Sequence, residues 1–224
     1  MKITSGSDVL DALLDGGYST GMLNTIYGPA ASGKTTCCLL ATIACYKSGK
    51  KTVFIDTENG FSVERLRQLT PDFKDVLDFV ILLKANSFSE QKKKFEFLKK
   101  LLPNPRIGLI CVDTIGAQYR VARKKDVKTI NQELAEQIDV LRGIYRNSNT
   151  LVLITDQVYA DLENKNKEGF KLVGGEIIRN QSRNIIQLQN LNKNKRMAIL
   201  EKAPELEEAR ETIFEIRENG FYKV

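Results

Sequence analysis

The run Gly28-Pro29-Ala30-Ala31-Ser32-Gly33-Lys34-Thr35 fits G-x-x-x-x-G-K-[ST] and stands between an apolar segment, Leu23 to Tyr27, and a stretch of helical period beginning near Lys34. No other feature restricts the fold as much, because such a loop works only where a strand delivers it and a helix receives it. Its glycines let successive backbone N–H groups turn inward, and the positive end of the helix dipole adds to them. Phosphate oxygens fit that concavity. Gly28, Pro29, Ala30, Ala31, Ser32, Gly33, Lys34, Thr35 and the following Thr36 are therefore candidate nucleotide-binding residues. Lys34 is placed to reach the β- and γ-phosphates, and the Thr35 hydroxyl to ligate Mg²⁺.

A magnesium nucleotide needs a second anchor. Ile107-Gly108-Leu109-Ile110-Cys111-Val112-Asp113 is an apolar strand that ends in a carboxylate, which makes Asp113 the second candidate metal residue, acting through water. A third run, Thr52 to Ile55, ends in Asp56-Thr57-Glu58 and sets two more carboxylates at the same sheet edge, where one of them can polarise an attacking water. The chain has no histidine, which excludes His-based zinc sites, Ser-His-Asp triads and imidazole shuttles. Proton transfer falls to carboxylates, lysine or tyrosine.

Short apolar runs recur at Leu23 to Tyr27, Thr52 to Ile55, Phe79 to Leu82, Ile107 to Val112 and Thr150 to Thr155, each followed by a segment of helical period. That alternation predicts an α/β fold whose mostly parallel sheet is flanked by helices on both faces. Ile130, Leu134, Ile138, Leu141 and Tyr145 form one helical stripe, and Phe95, Leu98 and Leu102 another, in the lysine-rich segment that Pro103 and Pro105 end. Beyond residue 180 the runs Ile185 to Leu191, Met197 to Leu200 and Thr212 to Ile216 follow without long helices, with Asn190 to Lys195 as a turn, predicting an antiparallel C-terminal extension. Cys37, Cys38, Cys45 and Cys111 read as buried reduced thiols, and no stretch is long and apolar enough for a membrane span. Lysine and arginine number 34 against 28 acids, a mild excess that permits a polyanionic partner.

Along essentially the whole chain the sequence resembles the RecA/RadA recombinase family. The resemblance is carried by Ser5-Gly6-Ser7, Leu13-Leu14-Asp15-Gly16-Gly17, the phosphate loop, Asp56-Thr57-Glu58 with Asn59 to Leu66, Leu153-Ile154-Thr155-Asp156-Gln157-Val158, and Gly174-Gly175 with Ile177-Ile178 and Arg183. It implies a RecA-like P-loop NTPase core that uses ATP and Mg²⁺. Glu58 takes the part of general base, Arg65 stacks on adenine, and Gln157 senses the γ-phosphate and couples it to the DNA loops; with Lys34, Glu58 and Gln157 form the candidate catalytic set. The likeness is strongest to the family's short archaeal branch, which begins at the ATPase core, so residues 1–224 are expected to form one core domain without an N-terminal helical domain. No Phe-x-x-Ala polymerisation segment precedes Ile3, which implies poor filament formation.

By the same resemblance, Tyr119 to Lys128 is a first DNA-binding loop, with Tyr119 or Arg120 stacking on an unpaired base and Arg123, Lys124, Lys125 and Lys128 neutralising phosphates. Asp161 to Val173 is a second, with Lys165, Lys167 and Lys171. Lys202 stands in the lid segment Leu200 to Pro204, either reaching a neighbour's γ-phosphate or lying solvated at the surface. The function implied is an ATP- and DNA-binding protein of recombination and repair with weak or modest DNA-linked ATPase activity. The alternative is a nucleotide-gated adaptor that recruits repair proteins with negligible turnover. Single-stranded DNA, a RadA-type recombinase, a junction resolvase or a DNA polymerase are the partners implied, and the cytoplasm the location.

Overall fold

The computed structural model describes residues 1–101, 104–124, 126–160, 170–192, 194–204 and 207–224. The chain opens with β1 (Lys2–Ile3), α1 (Asp8–Leu13) and β2 (Tyr18–Ser19), then β3 (Leu23–Tyr27), α2 (Lys34–Lys47) and β4 (Lys51–Asp56). There follow α3 (Val63–Leu69), α4 (Phe73–Asp78), β5 (Val80–Lys84), α5 (Phe88–Leu101), β6 (Ile107–Asp113), α6 (Ile115–Ala122), α7 (Val127–Asn147) and β7 (Leu151–Asp156). A small hairpin, β8 (Val158–Ala160) with β9 (Phe170–Leu172), precedes α8 (Gly175–Gln181), and β10 (Ser182–Asn190), β11 (Lys195–Lys202), β12 (Arg210–Arg217) and β13 (Gly220–Lys223) end the fold.

Among the described residues, nine strands form the main sheet in the order β13-β12-β11-β10-β3-β7-β6-β4-β5. From β10 through β3, β7, β6 and β4 to β5 every pairing is parallel, and from β10 outward through β11 and β12 to β13 every pairing is antiparallel. The expected architecture, a mostly parallel sheet with an antiparallel C-terminal extension, is the one observed.

Alternation along the central strands divides the core. Phe54, Leu109, Cys111, Leu151 and Leu153 face the layer holding α1 to α4, whereas Val53, Ile55, Ile110, Val112, Val152 and Ile154 face α5 to α8. Both faces are covered, so these strands are apolar on both sides. The expected stripe on α7 is real: Leu134, Ile138, Leu141 and Tyr145 are buried and Ile130 packs against them. Leu102 and Pro103 of the α5 reading lie outside the described residues. All four cysteines are free and buried.

Three expectations shift. The run Phe79 to Leu82 begins one residue late as a strand and extends to Lys84, because Phe79 closes α4 by donating its N–H to the Val76 carbonyl and packs its ring edge-on to Tyr46. The segment read as a first DNA loop divides between elements: Tyr119 to Ala122 close α6, whose buried side carries Ile115 and Tyr119 four residues apart, Arg123 and Lys124 follow its end, and Lys128 stands in the first turn of α7. Tyr119 is 2% exposed, meets Phe88 edge-on and donates its hydroxyl to Asn131 at 2.6 Å, so its ring is not available to stack on a base. Lys171 belongs to β9, opposite Tyr159, rather than to an irregular loop.

Candidate functional site

β3 ends at Tyr27, and the loop that follows climbs over the C-terminal edge of the sheet into α2. The Gly28 N–H donates to the Asp156 carbonyl of the neighbouring strand at 3.3 Å. Ala31 and Gly33 adopt positive φ, 59° and 105°, which turn the backbone N–H groups inward. Gly28 has no room for a side chain, since a Cβ there would overlap the Leu188 carbonyl. At Gly33 a Cβ would stand 2.9 Å from Ile216 Cδ1.

The loop and its neighbours enclose a cavity of about 310 Å³, with Lys34, Thr35, Glu58, Asp113, Thr114 and Gln157 on its walls. Lys34 is buried; its ammonium donates to the Gly28 and Pro29 carbonyls, both at 2.8 Å, and burial lowers its pKa against the raising pull of Asp113, Glu58 and Asp156. Thr35 donates its hydroxyl to Asp113 Oδ2 at 2.6 Å, and the Thr155 hydroxyl donates to Oδ1. Burial raises the Asp113 carboxyl above the usual range, while these two hydroxyls draw it back.

Glu58 is exposed at the cavity mouth, at the end of a loop built around Asp56. Asp56 Oδ1 accepts from the N–H of Glu58 at 3.2 Å and of Gly60 at 3.0 Å, and Oδ2 from that of Phe61 at 3.1 Å. Thr57 locks this loop to the start of α6 by donating to the Thr114 carbonyl at 2.7 Å and accepting from the Thr114 N–H at 2.9 Å. Glu58 then accepts from the Thr114 hydroxyl at 2.7 Å and from Gln157 Nε2 at 2.5 Å. Two residues given separate roles from sequence are in direct contact. Glu58 does not cap α3; Ser62 does, accepting from the Arg65 N–H at 3.0 Å.

The residues present fit a magnesium nucleotide. Thr35 and Asp113 set hard oxygen donors side by side beneath a loop of inward N–H groups, and magnesium takes one or two such groups together with phosphate oxygens. Ser32 Oγ, within the loop, is buried with no partner among the described residues. Among those residues no cluster of three or more Cys, Asp or Glu side chains could hold a metal by itself.

Arg65 reaches the β12–β13 turn: its guanidinium donates to the carbonyls of Arg217 and Glu218 and to Gln68 Oε1, each at 2.8 Å, and burial lowers its pKa. Lys202 donates to the Arg179 carbonyl at 3.1 Å and pairs in register with Ile185; it does not line the cavity. Burial, with Arg183 and Arg179 nearby, lowers its pKa. Arg120, Arg123, Lys124 and Lys128 are exposed, and the first three border a second hollow of about 340 Å³ with Val127 and Val173. Lys125, Lys165 and Lys167 lie outside the described residues, as does the Lys171 side chain.

Several site residues escaped the sequence reading. Thr155 and Thr114 hold the two carboxylates, yet each reads as an ordinary polar residue at a strand end. Asn190 Nδ2 and Arg196 Nε brace the loop through the Ala30 and Ala31 carbonyls, both at 3.1 Å, from a hairpin that reads only as a turn. Asp156, fully buried, lies inside the quoted Leu153 to Val158 segment, where the resemblance gives a role to Gln157 alone.

Comparisons with known proteins agree with this geometry. The DNA repair and recombination protein RadB of Methanobrevibacter smithii is 34% identical over 223 residues, 98% of this chain and 94% of that protein. Its counterpart in Thermococcus sibiricus is 37% identical over 222 residues, 97% of this chain and 93% of that one. A crystal structure of the RadB recombinase superposes with a TM-score of 0.86 at 34% identity, covering 99% of both chains. A family model described as Rad51 matches residues 1–224, so the chain belongs to the Rad51 family.

Proposed function

We propose that the protein binds Mg-ATP and single-stranded DNA and hydrolyses ATP slowly in a DNA-linked manner, serving recombination and repair. The observation that carries this reading is the cavity in which Lys34, Thr35, Asp113, Glu58 and Gln157 converge beneath the phosphate loop. Relatives that match nearly end to end are named for DNA repair and recombination, which supports the biological setting.

Loop N–H groups and the Lys34 ammonium bind and orient the triphosphate, offsetting charge that grows on the phosphoryl oxygens as the bond to the leaving oxygen breaks. Magnesium, when bound, supplies charge neutralisation at the β- and γ-phosphates, held by the Thr35 hydroxyl and, through water, Asp113. The Glu58 carboxylate takes a proton from the attacking water while the water oxygen bonds to the γ-phosphorus, leaving ADP and phosphate. Thr114 and Gln157 hold that carboxylate in place. Because Gln157 precedes the 158–172 excursion, a change at Glu58 is passed toward the DNA-facing side. Arg65 lies against the adenine, and Arg120, Arg123, Lys124 and Lys128 neutralise DNA phosphates.

Calorimetric titration with Mg-ATP tests the reading. The wild-type chain is expected to release heat with a single site, and Lys34→Ala to lose most of the affinity with the fold intact by circular dichroism. No heat from folded wild-type protein would overturn it.

A further inference from the structure

The Asp156 carboxylate is completely enclosed at the end of β7. Oδ1 accepts from the Gln157 N–H at 2.9 Å and Oδ2 from the Gly174 N–H at 3.2 Å, while the Gln157 carbonyl accepts from the Val173 N–H at 3.2 Å. Gln157, which leaves the sheet for the β8–β9 excursion, and Gly174, at its return, therefore meet on one side chain, and Val173 closes the same junction on the Gln157 carbonyl. Space is reserved for it: a Cβ on Gly116 of α6 would overlap Asp156 Oδ1 and press on Val173.

The surroundings offer the charge little. Lys34 from α2 is the cation that acts on it, and among the described residues Asp156 forms no ion pair. From β6, Asp113 is committed to Thr35 and Thr155; from β3, Tyr27 donates its hydroxyl to Glu201; α6 presents Gly116, and the returning segment presents Val173 and Gly174. An asparagine would offer a carbonyl acceptor with no charge to bury, so a carboxylate here carries a desolvation cost for which packing gives no return. Burial pushes its pKa up to about 7, where the charge is present or absent within the neutral range.

We propose that Asp156 is a positioning residue that fastens Gln157, on the nucleotide side, to Gly174, at the return of the excursion, and that the fastening holds with the carboxylate charged and loosens with it protonated. The fastening itself stands on geometry alone; its effect on DNA rests on the nucleotide and DNA reading above.

The test follows the Gly174 and Gln157 backbone amides by NMR in the full chain without nucleotide, from about pH 5.5 to about pH 8.5. Both are expected to move along one curve with a midpoint near 7, Gly174 downfield as the carboxylate forms, and Asp156→Asn to abolish the curve. Should that variant fail to fold, the Asp156 carboxyl carbon of the wild type is followed instead, and it must titrate together with both amides. Flat amides, two separate midpoints or a curve that survives the substitution would each overturn the proposal. In a second arm, single-stranded oligonucleotide binding with a non-hydrolysable Mg-ATP analogue is expected to lose at least about fivefold of its nucleotide-dependent gain between pH 8 and pH 6 in the wild type alone. A shared amide titration without any nucleotide binding would leave the fastening standing and remove the function proposed above instead.

Discussion

Glu58 is held by two donors of different origin, the Thr114 hydroxyl from the start of α6 and the Gln157 amide from the end of β7. A carboxylate so held keeps one fixed orientation over the cavity mouth, and proton acceptance from a positioned water contributes about 10²- to 10⁴-fold in such sites. Glu58→Gln keeps the size of the side chain and one acceptor but removes the basic oxygen. We expect it to leave Mg-ATP affinity within about threefold and to lower DNA-stimulated turnover by at least about 10²-fold. Calorimetry beside a phosphate-release assay separates the two quantities; equal turnover in both proteins would remove Glu58 from the chemistry.

Among the elements, α3 is short and mostly exposed, and its fixed points are the Ser62 cap and buried Leu66. Arg65 lies one turn from that cap and joins α3 to the β12–β13 turn. Ser62→Ala removes the acceptor for the Arg65 N–H and is expected to cost about 1 kcal/mol, read as a lower urea midpoint with an unchanged m-value. A neutral result would place the stability of α3 in Leu66 alone. Elements with a strong apolar signal were legible before any coordinates: β3 has the predicted bounds, and the interiors of β4, β6 and β7 and the stripe of α7 also lie where their patterns place them. The end of α6 is not legible, since Arg120, Arg123 and Lys124 read as one basic loop although Arg120 stands on the helix and the other two follow it, and the buried side of α6 rests on only Ile115, Gly116 and Tyr119. The site divided in the same way. Loop glycines and strand-end carboxylates have a local sequence signature, whereas Ile216 on the cavity wall, Thr155 behind Asp113, and Asn190 and Arg196 on the loop carbonyls act through tertiary contacts that no spacing records.

The whole molecule carries a formal charge of +6. With about three or four phosphates contacted by the exposed α6–α7 cations, the logarithm of single-strand affinity should fall with the logarithm of salt at a slope of about −2 to −3. Fluorescence anisotropy at several salt concentrations measures it, and a slope near zero removes the DNA surface. Global stability carries a pH signature from Asp156. Its carboxyl titrates near 7 in the folded chain against an ordinary value of 3.8, so between these values the folded state holds a proton that the unfolded state has released. Its contribution is therefore full below about pH 4, declines as pH rises and is gone above about pH 7. At 1.36 kcal/mol per unit over about three units, the ceiling is about 4 kcal/mol. The urea midpoint is expected to drop between about pH 4 and about pH 7, and Asp156→Asn to flatten that drop; equal slopes in both proteins would assign it to other groups.

Ile216 stands over Gly33, and Phe221 lies behind it. During synthesis the ribosome releases the phosphate loop well before these two covering side chains. A nascent chain thus carries its glycine-rich turn without the wall that shapes it. The cavity then takes its shape only once the β12–β13 hairpin has docked, and a ribosome stalled short of that hairpin would hold a sheet with an unfinished pocket.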